Sequence, residues 1–275
     1  MVGAVGAGES GSGDLAAAAL LARLGACGVR CERVRRVPGA RTQVVSSVFS
    51  ASGDLAVGVA DTAVTEAGVD VEWVQAAAAE IGAADWVVLD ANLDAAALTA
   101  AAAAAAAGGA RVWLEPVSVA KAPRLAPALR GAGDGAVVSP NAQELVALAR
   151  AAGAPAARLA AAQLEAALAA AGDGDSALPP VAAITVAAEA LLACSGLGAV
   201  VTTMGAHGAL LSERTGEADA ACGVHSLAGV APRVVVRNVS GAGDCQVRAL
   251  HSCRAACVKL TASCLAPRCL RWRRW

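Results

Sequence analysis

The sequence predicts an α/β protein, a mostly parallel β-sheet with helices on both faces. Two observations carry that reading. Short β-branched runs alternate with alanine- and leucine-rich helical stretches along most of the chain. Acids, amides and glycines fall at the carboxyl ends of those runs, where open α/β sheets place their sites.

Taken in order, Gly13 to Leu24 reads as a helix. Thr42–Ser50 and Leu55–Ala60 read as a strand pair closed by Ala51-Ser-Gly-Asp54, a turn whose Gly-Asp suits a hairpin. Trp86–Asp90 is a buried strand, and Asp94–Ala107 a helix stopped by Gly108-Gly109. Arg111–Glu115 and Gly135–Ser139 are the next strands, followed by helices over about 142–151 and 154–171. Residues 172–180 form a polar, Pro-ended loop, and Thr185–Cys194 a further helix. Ala199–Thr203 is a strand with Ala209–Glu213 as its hairpin partner. The early hairpin interrupts the parallel rhythm.

Composition agrees with one large domain. The 275 residues are 57% apolar, which excludes a disordered chain. Ala100 to Ala107 is unbroken alanine, too short and too weakly apolar for a membrane span, and reads as a buried helix. The start, Met1-Val-Gly-Ala4, has no basic segment of a secretory signal, which points to the cytoplasm with an organelle also compatible. Cys27 and Cys31, with the isolated Cys194 and Cys222, suggest a reducing compartment and no disulfide framework.

The most informative segment is Asn238-Val-Ser-Gly-Ala-Gly-Asp244, which follows the apolar run Val234–Val236. Small residues let backbone N–H groups approach an anion, and a helix starting there adds the positive end of its dipole. An Asp at the rim of such a nest is placed to take a proton from a hydroxyl attacking a phosphoryl group. Read alone, the segment is equally a glycine turn with a solvated acid.

Further segments extend the pattern: Ala40-Arg-Thr42, Gly58-Val-Ala-Asp61, Val88-Leu-Asp-Ala-Asn92, Val112-Trp-Leu-Glu-Pro-Val-Ser118, Val138-Ser-Pro-Asn-Ala-Gln-Glu-Leu145 and Val200-Val-Thr-Thr-Met-Gly-Ala-His-Gly208. In this order they resemble the PfkB, or ribokinase-like, family of carbohydrate and nucleoside kinases over roughly residues 2–244, and within it the kinases that act on pseudouridine. The resemblance implies a three-layer α/β/α sandwich with a small β lid, the hairpin of about 42–60. It implies ATP and Mg²⁺ as cofactors, a monovalent cation such as K⁺ as a further one, and transfer of phosphate to the 5′-hydroxyl of a nucleoside. Ribokinase or another sugar kinase is the nearest alternative.

It also implies roles for single residues. Asp244 is the catalytic base, and Gly241, Ala242 and Gly243 form the anion hole. Asn141, Glu144, Thr203, Gly205 and Gly208 face the nucleotide, with Glu144 acting on Mg²⁺ indirectly. Arg41, Thr42, Asn92 and Lys121 belong to the substrate side. Each has a plainer reading. Asn141 with Glu144 is also a capping box, and a capped helix end is itself an anion-facing site. Arg41 also fits a solvated strand-entry charge, Asn92 a helix cap, and Lys121 meets a phosphate or nothing. His207 is given no role.

Two departures from the family pattern stand out. The family's opening strand and Gly-Gly sugar segment have no counterpart before Val2, so unpaired neighbouring backbone and a partly open sugar pocket are expected. After Asp244 the chain changes character. Residues 245–275 carry five of the nine cysteines, seven Lys/Arg and no acid, leaving a body of −8 against a tail of +7. The tail's cysteines lack the paired spacing of common zinc sites. Its arginines and tryptophans admit only nonspecific nucleic-acid contact; the resemblance implies a small-molecule nucleoside or sugar as the partner, with no membrane and a homo-oligomer compatible. The reading from another class is a catalytically silent kinase fragment whose basic tail binds a partner, nucleic acid or nothing.

Overall fold

The structure, a computed structural model, describes residues 1–8, 11, 13–51, 55–172, 179–215 and 223–229. The segments Asn238–Asp244 and 245–275 lie outside them.

The chain opens with β1 (Val2–Gly6), α1 (Leu15–Ala26) and β2 (Arg33–Val37). β1 and β2 pair in parallel, Val2 opposite Arg33 and Gly6 opposite Val37. The sequence reading had assigned no strand to this glycine-rich start. α1 begins two residues later than expected, at a cap in which Asp14 Oδ1 accepts from the Ala17 N–H at 2.8 Å. It packs Ala17 on Val5 and Val34. On the other face α2 (Ala63–Gly68) comes close enough that a Cβ on Gly68 would sit 2.4 Å from that of Ala4. Helices therefore cover both faces of the β1–β2 ribbon.

β3 (Val45–Phe49) and β4 (Leu55–Ala60) form the antiparallel hairpin, Val45 opposite Ala60. It starts three residues later than Thr42. After α2 come two short helices, α3 (Val71–Ala76) and α4 (Ala78–Gly82).

The main sheet is built from β5 (Trp86–Asp90), β6 (Arg111–Glu115), β7 (Ala136–Val138), β8 (Leu197–Thr203), β9 (Ala209–Thr215) and β10 (Gly223–Gly229). Its order is β10-β9-β8-β7-β6-β5, parallel from β5 to β8 and antiparallel at β9 and β10. Between strands run α5 (Ala95–Gly108), α6 (Ala142–Ala152), α7 (Pro155–Ala171) and α8 (Val181–Cys194). α8 starts four residues before the expected Thr185.

Strand period two sorts the core. Val112, Leu114, Val138, Val200 and Leu210 face the helices and meet Leu98, Leu145, Leu148, Leu164, Ile184 and Leu191. Trp113, Val137, Ala199, Val201 and Leu211 point to the opposite face and form a smaller cluster. The alanine tract is buried on the core side of α5, at Ala101, Ala102 and Ala105. Among the described residues no helix is long and apolar enough to cross a membrane. Cys27, Cys31 and Cys194 are free thiols.

Small residues set the spacing of α4 and α5. A Cβ on Gly108 would lie 2.3 Å from the Gly82 backbone. Ala ordinarily improves a helix position by about 1 kcal/mol over Gly, but overpacking costs about 1–3 kcal/mol. Gly108→Ala is therefore expected to destabilise the fold, read as a lower denaturant midpoint with unchanged slope.

Candidate active site

The carboxyl ends of β5 to β8 carry three linked groups of polar side chains. At the end of β5, Asp90 Oδ1 accepts from the Asn92 N–H at 2.9 Å. The Asn92 side-chain oxygen accepts from Lys121 Nζ at 2.7 Å. Arg124 ties this turn to α2: its Nη1 donates to Glu66 Oε1 at 3.0 Å and to the Ala91 and Asn92 carbonyls at 3.4 and 3.3 Å. Two of the sequence-predicted substrate residues, Asn92 and Lys121, are thus brought into contact, held by an Arg–Glu pair that sequence reading had not singled out.

The second group lies at β6 and β7. Ser139 is 6% exposed; its Oγ accepts from Trp113 Nε1 at 2.8 Å and donates to Glu115 Oε2 at 2.6 Å. The β6 exit loop then makes a tight turn, in which the Ser118 N–H donates to the Pro116 carbonyl at 2.7 Å across Val117 at φ 68°. A positive φ strains a β-branched residue, and this three-residue turn is the rare strained form. Strain of that kind costs about 1–3 kcal/mol, against about 0.5–1 kcal/mol for glycine's extra chain entropy. Val117→Gly is expected to raise stability by about 1 kcal/mol, seen as a higher melting temperature.

The third group joins β7, α6 and β8. Asn141 Oδ1 accepts from the Glu144 N–H at 2.8 Å, and Glu144 Oε2 accepts from the Asn141 N–H at 2.8 Å, a complete capping box. Asn141 makes a parallel bridge with Thr203, whose N–H donates to the Pro140 carbonyl at 2.9 Å. Asn141, Glu144 and Thr203 therefore share one corner. Glu144 is 7% exposed, and burial raises its carboxyl above the ordinary range, only partly offset by the Asn141 N–H. Gly205 and Gly208 carry the turn after β8 at φ 55° and 90°, closed by the Met204 N–H on the Gly208 carbonyl at 2.8 Å.

Thr42 belongs to a different junction. It is buried; its Oγ1 accepts from the Gly6 N–H at 3.0 Å and its own N–H donates to Asp14 Oδ2 at 2.7 Å. The Thr42 N–H first, then the Thr42 hydroxyl and the Ala17 N–H, hold the Asp14 carboxyl below its ordinary range. Gly6 makes room for this crossing, since a Cβ there would sit 2.5 Å from the Ala40 carbonyl oxygen. Thr42 thus pins the hairpin's root to β1 and α1, while the neighbouring Arg41 is exposed. From there Gln43 Oε1 accepts from Thr65 Oγ1 at 2.9 Å, one residue from Glu66. Gly241, Ala242, Gly243 and Asp244 lie outside the described residues.

A parallel sheet with its polar side chains along one carboxyl edge suits a ligand-binding α/β enzyme. The family model described as "pfkB family carbohydrate kinase" matches residues 1–267. The chain belongs to this family. The match takes in most of the basic tail as well as the body. Over 110 residues the chain is 37% identical to a pseudouridine kinase of Arabidopsis thaliana, a stretch that is 40% of this chain and 28% of that relative's length. The fold is that of ribokinase. A ribokinase of Giardia lamblia superposes with a TM-score of 0.65 at 16% identity, over 96% of this chain and 68% of its own. Ribokinase of Arabidopsis thaliana, solved with ribose and ATP, gives 0.64 at 18% identity, over 96% and 71%. A nucleoside kinase of Burkholderia thailandensis in complex with inosine gives 0.52 at 16%, over 93% and 66%.

Proposed function

We propose that the chain transfers the γ-phosphoryl group of ATP to the 5′-hydroxyl of a nucleoside, with pseudouridine the first candidate and ribose or another sugar the nearest alternative. The observation that carries this is the convergence of Asn92–Lys121, Ser139–Glu115 and Asn141–Glu144–Thr203 on one sheet edge. The identity to a pseudouridine kinase favours the nucleoside over the plain sugar.

In this proposal the substrate hydroxyl gives its proton to Asp244 as the oxygen attacks the γ-phosphorus in line, the bond from that phosphorus to the β–γ bridging oxygen breaks, and ADP leaves. The N–H groups of Gly241, Ala242 and Gly243 stabilise the charge that develops on the phosphoryl oxygens. Lys121 and Asn92 orient the acceptor, Lys121 as the charged donor and Asn92 through its amide. Thr203, Gly205 and Gly208 form the nucleotide side. The donor set fits Mg²⁺: Glu144 offers one buried carboxylate beside the Asn141 side chain, and Mg²⁺ is usually held by one or two carboxylates with nucleotide phosphates and water. Glu144, with Asn141, would hold the ion's shell, and a bound Mg²⁺ would neutralise charge on the phosphates. The buried box keeps Glu144 in one rotamer for that task.

The test is phosphorylation of pseudouridine, uridine and ribose by the purified chain with MgATP. Turnover on pseudouridine, lowered by Lys121→Met mainly through the pseudouridine KM, supports the reading. Preferred turnover on ribose moves the chain to the sugar kinases. A folded chain without turnover on any of the three is a silent member of the family.

A further inference from the structure

Asn92 is gripped at both its side chain and its main chain by one short turn of helix. The 3₁₀ turn Ala122–Leu125 is preceded by Lys121 as its cap, and the Arg124 N–H donates to the Lys121 carbonyl at 2.9 Å. Side chains three apart eclipse in such a turn, so Lys121 and Arg124 leave it on the same side. Lys121 Nζ donates to the Asn92 side-chain oxygen, and Arg124 Nη1 to the Asn92 and Ala91 carbonyls.

The two cations differ in what else they hold. Arg124 Nη1 also donates to Glu66 Oε1. Lys121 forms no ion pair among the described residues. Its charge rests on one neutral amide oxygen, a weaker partner than a carboxylate. A ligand that offers Lys121 an oxygen of its own replaces that bond like for like, whereas the ion pair of Arg124 with its two carbonyls stays. Glu66 also relieves the repulsion of two cations on one face. It is itself anchored: the hydroxyl of the preceding Thr65 donates to Gln43 at the foot of the hairpin, and Val64 and Gly68 bury α2 against β1. Arg124 is therefore the fixed member of the pair and Lys121 the movable one.

We propose that Arg124, neutralised by Glu66, is a positioning residue for the phosphoryl acceptor: it keeps Asn92 in place when Lys121 turns from Asn92 to the bound nucleoside or sugar. It acts through Asn92. The proposal rests on the reading of Asn92 and Lys121 as substrate residues.

The test compares Arg124→Gln, Glu66→Gln and the double variant with the parent chain, by steady-state rates and by backbone hydrogen exchange. Arg124→Gln is expected to raise the KM of the acceptor turned over best by about tenfold and to leave that of MgATP within about twofold, because one substrate alone is misplaced. A merely structural loss would lower the active fraction, and so kcat, without raising one KM. The double variant should be no worse than Arg124→Gln, as for residues that act as one unit. Exchange at the Asn92 and Leu93 amides should quicken about threefold or more in Arg124→Gln, with α5 unchanged. Parental KM values, an equal rise in both, additive losses, or unchanged Asn92 and Leu93 amides each overturn the proposal. A parent chain that phosphorylates none of pseudouridine, uridine and ribose removes the kinase reading, and exchange then decides alone: faster Asn92 and Leu93 amides with α5 unchanged uphold Arg124 as the anchor of Asn92, and unchanged ones overturn it.

Discussion

Asp244→Asn is expected to lower kcat by about 10²–10⁴-fold, the usual worth of a positioned general base, while leaving KM for ATP within a few-fold and the melting temperature unchanged. Asn keeps the shape and a hydrogen-bond acceptor but cannot take the proton of the attacking hydroxyl. An interaction made only in the transition state lowers kcat and kcat/KM together, which separates this role from nucleotide binding. A charge that merely tuned ATP affinity would instead raise KM at constant kcat. Steady-state rates against ATP and nucleoside, measured on parent and variant, decide between them. An Asn variant with parental kcat would remove Asp244 from the mechanism and return its loop to the plain glycine turn.

Much of the sheet edge was legible because its signals are local. Trp86–Asp90 and Arg111–Glu115 are apolar runs bounded by an acid, and both strands occupy those residues. Asn141 and Glu144 stand three apart at a helix start, and both capping bonds are present. What was illegible depends on distant partners. β1 has glycine or alanine at three of its five positions, and β2 carries three arginines in five, so neither has the composition of a strand. Their pairing and the helices on their faces make them strands, a tertiary override of weak propensity. The helices α2 to α4 have five or six residues each, too few to display a period. Thr42 reads as a substrate residue beside Arg41, yet its partners Asp14 and Gly6 lie 28 and 36 residues away. The Arg124–Glu66 pair spans 58 residues and leaves no local trace.

Glu144→Gln separates structure from chemistry at the second key position. The Gln side-chain oxygen still accepts from the Asn141 N–H, so the capping box survives. What disappears is a charge that burial disfavours. Because the folded-state pKa of Glu144 is raised, folding favours its protonated form. The stability cost of ionising it is absent in acid, grows as pH rises past the unfolded-state pKa, and is complete above the folded-state one. The Gln variant should therefore match the parent in acid and equal or exceed it at neutral pH, with a flatter pH dependence of the denaturant midpoint. Activity should move the other way. If the carboxylate orders the shell of Mg²⁺, its loss costs about 10–100-fold in activity or apparent Mg²⁺ affinity, the usual worth of an outer-shell partner. A stable variant with a raised Mg²⁺ requirement assigns Glu144 to the metal. A stable variant with parental Mg²⁺ dependence and rate leaves it as a cap that carries an unneeded charge, and the metal's carboxylate must then be sought elsewhere along the sheet edge, with Glu115 beside Ser139 the next to test.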